Sequence, residues 1–291
     1  MLFSLANAID PRILVKICKV AVVQMKSSEL KVENLSASIE YISRAAAGKA
    51  TAICFPEFLM SFSPVEQDVE TLAKTAETVK GGKFISELRR AARINNIYVI
   101  ATIYEKPDNI AEHRVHDTAV IIDRRGKISS IYRKLHLYDA LGFKESAKFI
   151  AGDKINRPTR LGSASIGVMI CYDIRFPEMS RILAGNGANV FIVPSAWVHG
   201  IMKEEHWQTM LKARAIENGS FVIAPDQVGN IYSGRSMIID PFGVVLLDMG
   251  NREGMEIIEI DISRIKEVRA SLPLLENRRT DVYRNDLDIF S

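Results

Sequence analysis

The sequence predicts an α/β protein, a four-layer α-β-β-α sandwich of two pseudo-symmetric halves. Three observations predict it. The composition is that of an ordinary globular chain: 47% of the 291 residues are hydrophobic and 25% charged, which excludes disorder, collagen-like sequence and a coiled coil. Runs of β-branched residues alternate with segments of helical period nearly throughout. Three short strings also recur in the same order in both halves. Ile53-Cys54-Phe55-Pro56 is echoed by Phe191-Ile192-Val193-Pro194, Tyr98-Val99-Ile100-Ala101 by Phe221-Val222-Ile223-Ala224, and Ile121-Ile122-Asp123 with Gly126 by Ile238-Ile239-Asp240 with Gly243. Each echo is weak alone, but their shared order argues for two related halves, packed sheet on sheet with helices outside. No Pro-, Gly- or Ser-rich linker parts them, so residues 17–291 read as one domain behind a short extension over residues 1–16.

The elements follow in order. Ile17 to Gln24 is a buried strand. Leu35, Ile39, Ile42 and Ala46 mark one face of a helix stopped by Gly48. Thr51 to Phe55 is a second strand. A helical stretch over residues 66 to 95 leads to a third, Ile97 to Tyr104, with Gly81-Gly82 as a turn before Phe84 rather than a phosphate cradle. Ala119 to Tyr132 is a hairpin turning at Asp123-Arg124-Arg125-Gly126. In the second half, Ser165 to Ile170 is a strand ending at Cys171. Pro177 sits at a first helical position, ahead of an apolar stripe of Met179, Ile182 and Leu183. Asn189 to Val193 is a strand. Glu204 to Asn218 is a helix with Trp207, Met210, Leu211 and Ala215 on one face and Gly219 as its stop. Phe221 to Ala224, a hairpin over Met237 to Asp248, and Met255 to Ile260 complete the strands, followed by a short helix and a polar tail.

Charge and cysteine usage narrow the function. Lys plus Arg is 38 and Asp plus Glu 35, a net +3 that argues for neither nucleic acid nor an anionic membrane as partner. Cys18, Cys54 and Cys171 form no CxxC or Cys/His cluster, so neither a disulfide framework nor a structural zinc is expected, and a reducing cytoplasm fits. No apolar run approaches a membrane span, and the N-terminus lacks the pattern of a signal peptide.

Few residues are placed for chemistry. Cys171 lies where an apolar strand runs out, before Tyr172-Asp173-Ile174-Arg175-Phe176-Pro177 and a helix. Groups at such carboxyl ends face the functional edge of α/β sheets, and the bend offers free N–H groups for an oxyanion. Most cysteines are instead small buried hydrophobes, and Cys18 and Cys54, inside strands, read that way. Glu57 follows Phe55-Pro56 at another strand end, matched by the internal echo to residue 195, and is either a general base or a solvated carboxylate. Lys134, in Tyr132-Arg133-Lys134-Leu135-His136-Leu137, is either a solvated edge cation or an ammonium aimed at an oxyanion. Glu145, in Gly142-Phe143-Lys144-Glu145-Ser146, carries the same ambiguity. A Cys–His dyad of Cys171 with His136 or His199 is a rival. The histidine spacings suit no metal site, and GxSxG, P-loop and GxGxxG patterns are absent.

Taken together, Phe55-Pro56-Glu57, Tyr132 to Leu137 and Cys171 to Glu178 resemble the three signature segments of the nitrilase superfamily, or carbon–nitrogen hydrolases. The resemblance runs on through Pro194-Ser195-Ala196-Trp197, His206-Trp207, Ala213 to Asn218 and the Gly234-Arg235-Ser236 to Gly243 hairpin, and makes residues 17–291 a carbon–nitrogen hydrolase domain. It implies a four-layer sandwich and a catalytic Glu57, Lys134 and Cys171, with Glu145 as a further carboxylate. The Cys-Tyr-Asp-x-Arg-Phe-Pro-Glu form is similar to the amidase branch that includes omega-amidases, and unlike the run after the cysteine in true nitrilases. The resemblance also implies a homodimer or higher homo-oligomer and no cofactor.

The expected activity is hydrolysis of a small linear carboxyamide to acid and ammonia through a thioester on Cys171. Tyr172, through its backbone N–H, and Arg175, as a clamp for a substrate carboxylate, are expected to bind substrate. Trp197 and Phe143 are expected as pocket walls. Hydrolysis of N-carbamoyl amines or amino acids is the alternative within the same chemistry, and a non-enzymatic scaffold on the same fold the alternative outside it.

Overall fold

The computed structural model describes residues 17–109 and 112–286, so the extension expected over residues 1–16 lies outside the described residues. The first half runs β1 (Ile17–Gln24), α1 (Lys31–Ala47), β2 (Ala52–Cys54), α2 (Val69–Thr75), α3 (Lys83–Asn95), β3 (Tyr98–Glu105), β4 (His116–Ile122) and β5 (Ile128–Arg133). The second runs β6 (Thr159–Leu161), β7 (Ala164–Val168), α4 (Pro177–Gly185), β8 (Val190–Ile192), α5 (Lys203–Asn218), β9 (Phe221–Ala224), a two-stranded ribbon of β10 (Val228–Gly229) and β11 (Tyr232–Ser233), then β12 (Met237–Ile239) and β13 (Val245–Asp248). Last come β14 (Gly254–Asp261), α6 (Ser263–Ser271) and α7 (Thr280–Asp286).

Two six-stranded sheets result, ordered β14-β1-β2-β3-β4-β5 and β6-β7-β8-β9-β12-β13. Each has three central parallel strands, an antiparallel hairpin on one side and one antiparallel edge strand on the other. Even the bulge recurs, at Ile121/Ile122 and at Ile238/Ile239. The echoes map onto equivalent strands: β2 with β8, β3 with β9, and the β4–β5 turn with the β12–β13 turn. The period of two along β1 sorts its side chains: Val20 and Val22 join a core with Ile166, Val190 and Ile192 of the facing sheet, while Ala21 and Val23 pack with Ile42, Ile85 and Leu88 of the outer helices α1 and α3. These are the four layers.

Several details differ from expectation. The helical stretch over residues 66 to 95 is two helices, because Glu77 leaves the helix to pair with the end of β3: its N–H donates to Tyr104 O at 2.9 Å. The Glu77 carboxylate then accepts from Phe84 N at 2.7 Å, capping α3 after the Gly81-Gly82 turn. Strand β6 and the β10–β11 ribbon were not expected; both are too short to carry a periodicity signal. On α1 the deeply buried face includes Asn34 and Ser38, and Leu35, Ile39 and Ala46 are half-buried beside it. Asn34 is tolerated there because its amide donates to Ser28 O at 2.7 Å and Met60 O at 3.1 Å. On α4 Ile182 faces outward, and Ser180 and Ala184 share the buried stripe with Met179 and Leu183. Among the described residues no helix is long and apolar enough to cross a membrane.

Candidate active site

Topology gathers the site. β1 to β3 are parallel, and β5, antiparallel to the antiparallel β4, runs the same way, so the carboxyl ends of β2 and β5 share one edge of the sheet. Glu57 follows β2 and Lys134 follows β5 at that edge. The Lys134 N–H donates to Asp117 O at 2.9 Å, extending the β4–β5 ladder by one step. Cys171 follows β7 at the corresponding edge of the second sheet, and the two edges meet: Glu57 N donates to Ser195 O at 3.2 Å, joining the two residues that the internal echo equates.

The polar cluster is buried. Lys134 is 2% exposed and Glu57 1%. Lys134 Nζ donates to Glu57 Oε1 at 2.7 Å and to Glu145 Oε1 at 2.8 Å. Glu57 Oε2 accepts from Ala196 N at 2.7 Å, and Glu145 Oε2 accepts from Tyr138 N. Burial works against the Lys134 ammonium, but the carboxylates of Glu145 and Glu57 outweigh it and hold it well above its ordinary value, so it is charged. Burial raises the Glu145 carboxyl, with Lys134 opposing. An ammonium has three donors, and with two engaged the third is left for an incoming oxygen.

Cys171 opens a 3-10 turn over Cys171–Arg175 with φ +45°, the left-handed region that a non-glycine residue occupies at a cost. The turn is braced from below. Asp173, fully buried, accepts from Ile170 N at 2.8 Å, Tyr132 Oη at 2.6 Å and His136 N at 3.1 Å, and its Oδ1 lies 2.7 Å from His136 Nδ1. From the side, Arg214 Nε donates to Ile174 O at 2.9 Å. Burial pushes the Cys171 thiol well above its ordinary value and Glu57 adds to this, while Lys134 and the Ala196 N–H oppose it. At rest the sulfur is a thiol.

Cys171, Glu57, Lys134 and Glu145 line one cavity of about 340 Å³, whose other walls include Phe58, Phe143, Phe149, Val198 and Tyr232. Phe143 is thus placed on the cavity. Tyr172 and Trp197 instead line a narrow crevice on another side of Cys171, with Tyr138 and Lys203. Trp197 packs on Trp207 at 5.1 Å between ring centroids. The Arg175 guanidinium lies over the Trp197 ring at 4.7 Å and lines neither space. His136 is stacked on Phe176 at 3.6 Å and tied to Asp173, and His199 is exposed, so neither forms a dyad with Cys171. Residues the sequence did not single out are Asp117, Tyr138, Lys203 and the Ala196 N–H. Asp117 left one trace, a carboxylate on the same strand period as Ala119 and Ile121; the others lie in loops or at a helix start, with no period to read.

The family model for carbon-nitrogen hydrolases matches residues 19–270. The chain belongs to that family. Over 247 residues it is 34% identical to a deaminated glutathione amidase of Escherichia coli O157:H7, covering 85% of this chain and 92% of that one. It is 35% identical over 270 residues to a deaminated glutathione amidase of Synechocystis sp. (strain PCC 6803 / GT-S), covering 89% and 97%. The crystal structure of Saccharomyces cerevisiae Nit3, a member of branch 10 of the nitrilase superfamily, matches at a TM-score of 0.80 and 27% identity, covering 91% of this chain and 97% of that one. The resemblance legible in the sequence and the sandwich it implied are both borne out by this membership.

Proposed function

We propose that the protein hydrolyses a small linear carboxyamide to acid and ammonia through a thioester on Cys171. One observation carries this reading: a buried Glu57–Lys134–Glu145 chain, at 2.7 and 2.8 Å, opens on the cavity that holds the Cys171 thiol. The relatives named as amidases support it. Glu57 takes the thiol proton as the amide binds, and the sulfur forms a bond to the carbonyl carbon. The carbonyl oxygen takes up negative charge, met by the free Lys134 donor and by the backbone N–H of Tyr172, one such donor being worth about 3 kcal/mol. Glu57 returns the proton to the departing nitrogen, the carbon–nitrogen bond breaks and ammonia leaves. Water, giving a proton to Glu57, then adds to the thioester. Collapse releases the acid, and the proton returns to sulfur. Glu145 holds Lys134 in place through both steps.

Substrate length is set in this reading by the aromatic walls Phe58, Phe143 and Phe149. A distal substrate carboxylate would meet the Arg175 guanidinium, which lines neither the cavity nor the crevice, only by drawing it off the Trp197 ring. A homodimer or higher homo-oligomer and residence in the cytoplasm belong to the same proposal, as does a small-molecule amide, rather than nucleic acid or membrane, as the partner.

The test is ammonia release across succinamate, 2-oxoglutaramate, glutamine, N-carbamoyl compounds and simple aliphatic amides and nitriles. Short amides are the expected substrates, and Cys171→Ala or Glu57→Gln should lower kcat/KM by at least about a thousandfold while the fold persists. Carbon dioxide released with the ammonia would move the protein to the N-carbamoyl class. A folded Cys171→Ala variant with full activity would overturn the nucleophile.

A further inference from the structure

One buried group in the site has no place in that mechanism. Asp117, at the start of β4, is 1% exposed, and neither of its carboxyl oxygens has a hydrogen-bond donor. An oxygen of Asp117, one of Glu57 and one of Glu145 all lie within 4.8 Å of one another. Among the described residues, the neighbouring donors make their hydrogen bonds to other acceptors and none to the Asp117 carboxyl. Lys134 Nζ serves Glu57 and Glu145, and its N–H serves the Asp117 main-chain oxygen. Tyr104, opposite Asp117 on β3, donates its hydroxyl to Ser61 O at 2.6 Å. A buried ionised carboxylate without a donor is among the costliest arrangements in a protein interior, and two carboxyls in contact need a proton between them.

We propose that Asp117 is a positioning residue that carries a proton in the resting protein and donates it to the Glu57 carboxylate. The proton does three things. It satisfies an oxygen of Asp117 that is otherwise orphaned. It leaves Glu57 and Glu145 as the carboxylates facing one ammonium, in place of three. It also adds a third fixed contact to Glu57, beside Lys134 Nζ and Ala196 N, so that the base is held while its own proton comes and goes. Burial, and next the nearby Glu57 charge, push the Asp117 carboxyl well above the usual carboxylate range, in agreement with this placement.

The inference rests on the amidase reading for what Glu57 does, but not for where the Asp117 proton sits, and two measurements separate the two. The first needs no activity: infrared difference spectra of wild type against Asp117→Asn at pH 7. The carbonyl stretch of a protonated carboxylic acid, shifting on transfer to heavy water, should be present in wild type and lost in the variant. Its absence from wild type overturns the proposal whatever the enzyme's substrate.

The second is the pH profile of kcat/KM on the best amide. A donor to an ionised carboxylate favours that form, so Asp117→Val, which removes the donor, should move the acid limb up by about one pH unit. It should also lower kcat/KM about tenfold. Asp117→Asn returns an uncharged N–H donor and should bring the limb back toward wild type. If Asp117 were instead ionised, Asn would remove a negative charge and carry the limb below wild type. That outcome, or a Val variant with the wild-type profile, overturns the proposal; should the Val variant not fold, the spectra and the direction of the Asn shift decide it.

Discussion

At the scale of single residues, the site is a problem of proton and charge placement. A buried ion pair gives little net stability, because desolvation offsets attraction, but removing one partner is costly. The Lys134 bridge between Glu57 and Glu145 is therefore explained by chemistry more readily than by stability. The cysteine is handled in the opposite way: burial pushes its thiol up, and the proposed mechanism has Glu57 accept its proton only once the amide is bound. Asp117 shows most directly how protonation is tied to folding. Its carboxyl is raised in the fold, so above the unfolded value of about 3.9 the unfolded chain gives up a proton that the native state keeps. The stability this group contributes is full below that value and is lost as pH rises toward and through the folded value. Asp117→Asn has no such proton, so its melting temperature relative to wild type should climb between pH 4 and pH 8. A difference that stays flat or falls over that range would contradict a protonated Asp117.

At the scale of elements, short connections set where side chains emerge. Asp173 pins the residues after β7, the start of the cysteine turn, the end of β5 and the segment after it to one buried carboxylate, which is why residues 37 and 41 positions apart in sequence stay in register. At the far edge of the sheet the β4–β5 turn has its own constraint. Gly126 has φ +77°, and a Cβ there would lie 2.6 Å from Arg89 O in α3. The cause is close approach: Arg89 Nε donates to Gly126 O at 2.8 Å. Gly126→Ala should therefore cost about 1–3 kcal/mol. Urea titration should show a lower midpoint with an unchanged slope, while kcat/KM per folded molecule is unaffected, the turn lying at the edge opposite the site. An unshifted midpoint would mean that the hairpin and α3 move apart at no cost.

At the scale of the whole molecule, the two sheets share one core. Val20, Cys54 and Ile100 of one sheet pack in the same cluster as Ile166, Val190 and Ile223 of the other, and β14, late in the chain, pairs along all of β1. The inner face of each sheet is covered only by the other, so thermal unfolding followed by far-UV and near-UV circular dichroism should show one coincident transition. Two separated transitions would mean that the halves fold independently. The same geometry explains the division of labour. The halves are alike in topology but differ in what their strand ends carry: the carboxylates and the ammonium on one, the sulfur and the Ala196 N–H on the other.

The strands β1 and β9, the stop at Gly219, Pro177 at the head of α4 and the order of the echoes were all legible in the chain, because periodicity, turn chemistry and caps are local properties. So were Glu57, Lys134, Cys171 and Glu145 as a set, through the segments that resemble a known family. What no local pattern could show was which oppositely built strand ends would meet. Asp117 came to face Glu57 because β4 begins where β5 ends, Trp197 turned onto Trp207, and Arg175 came to lie over Trp197, outside the large cavity. Such placements depend on registers between segments far apart in sequence, and burial, which decides whether a carboxyl keeps its proton, exists only once the two sheets have closed on each other.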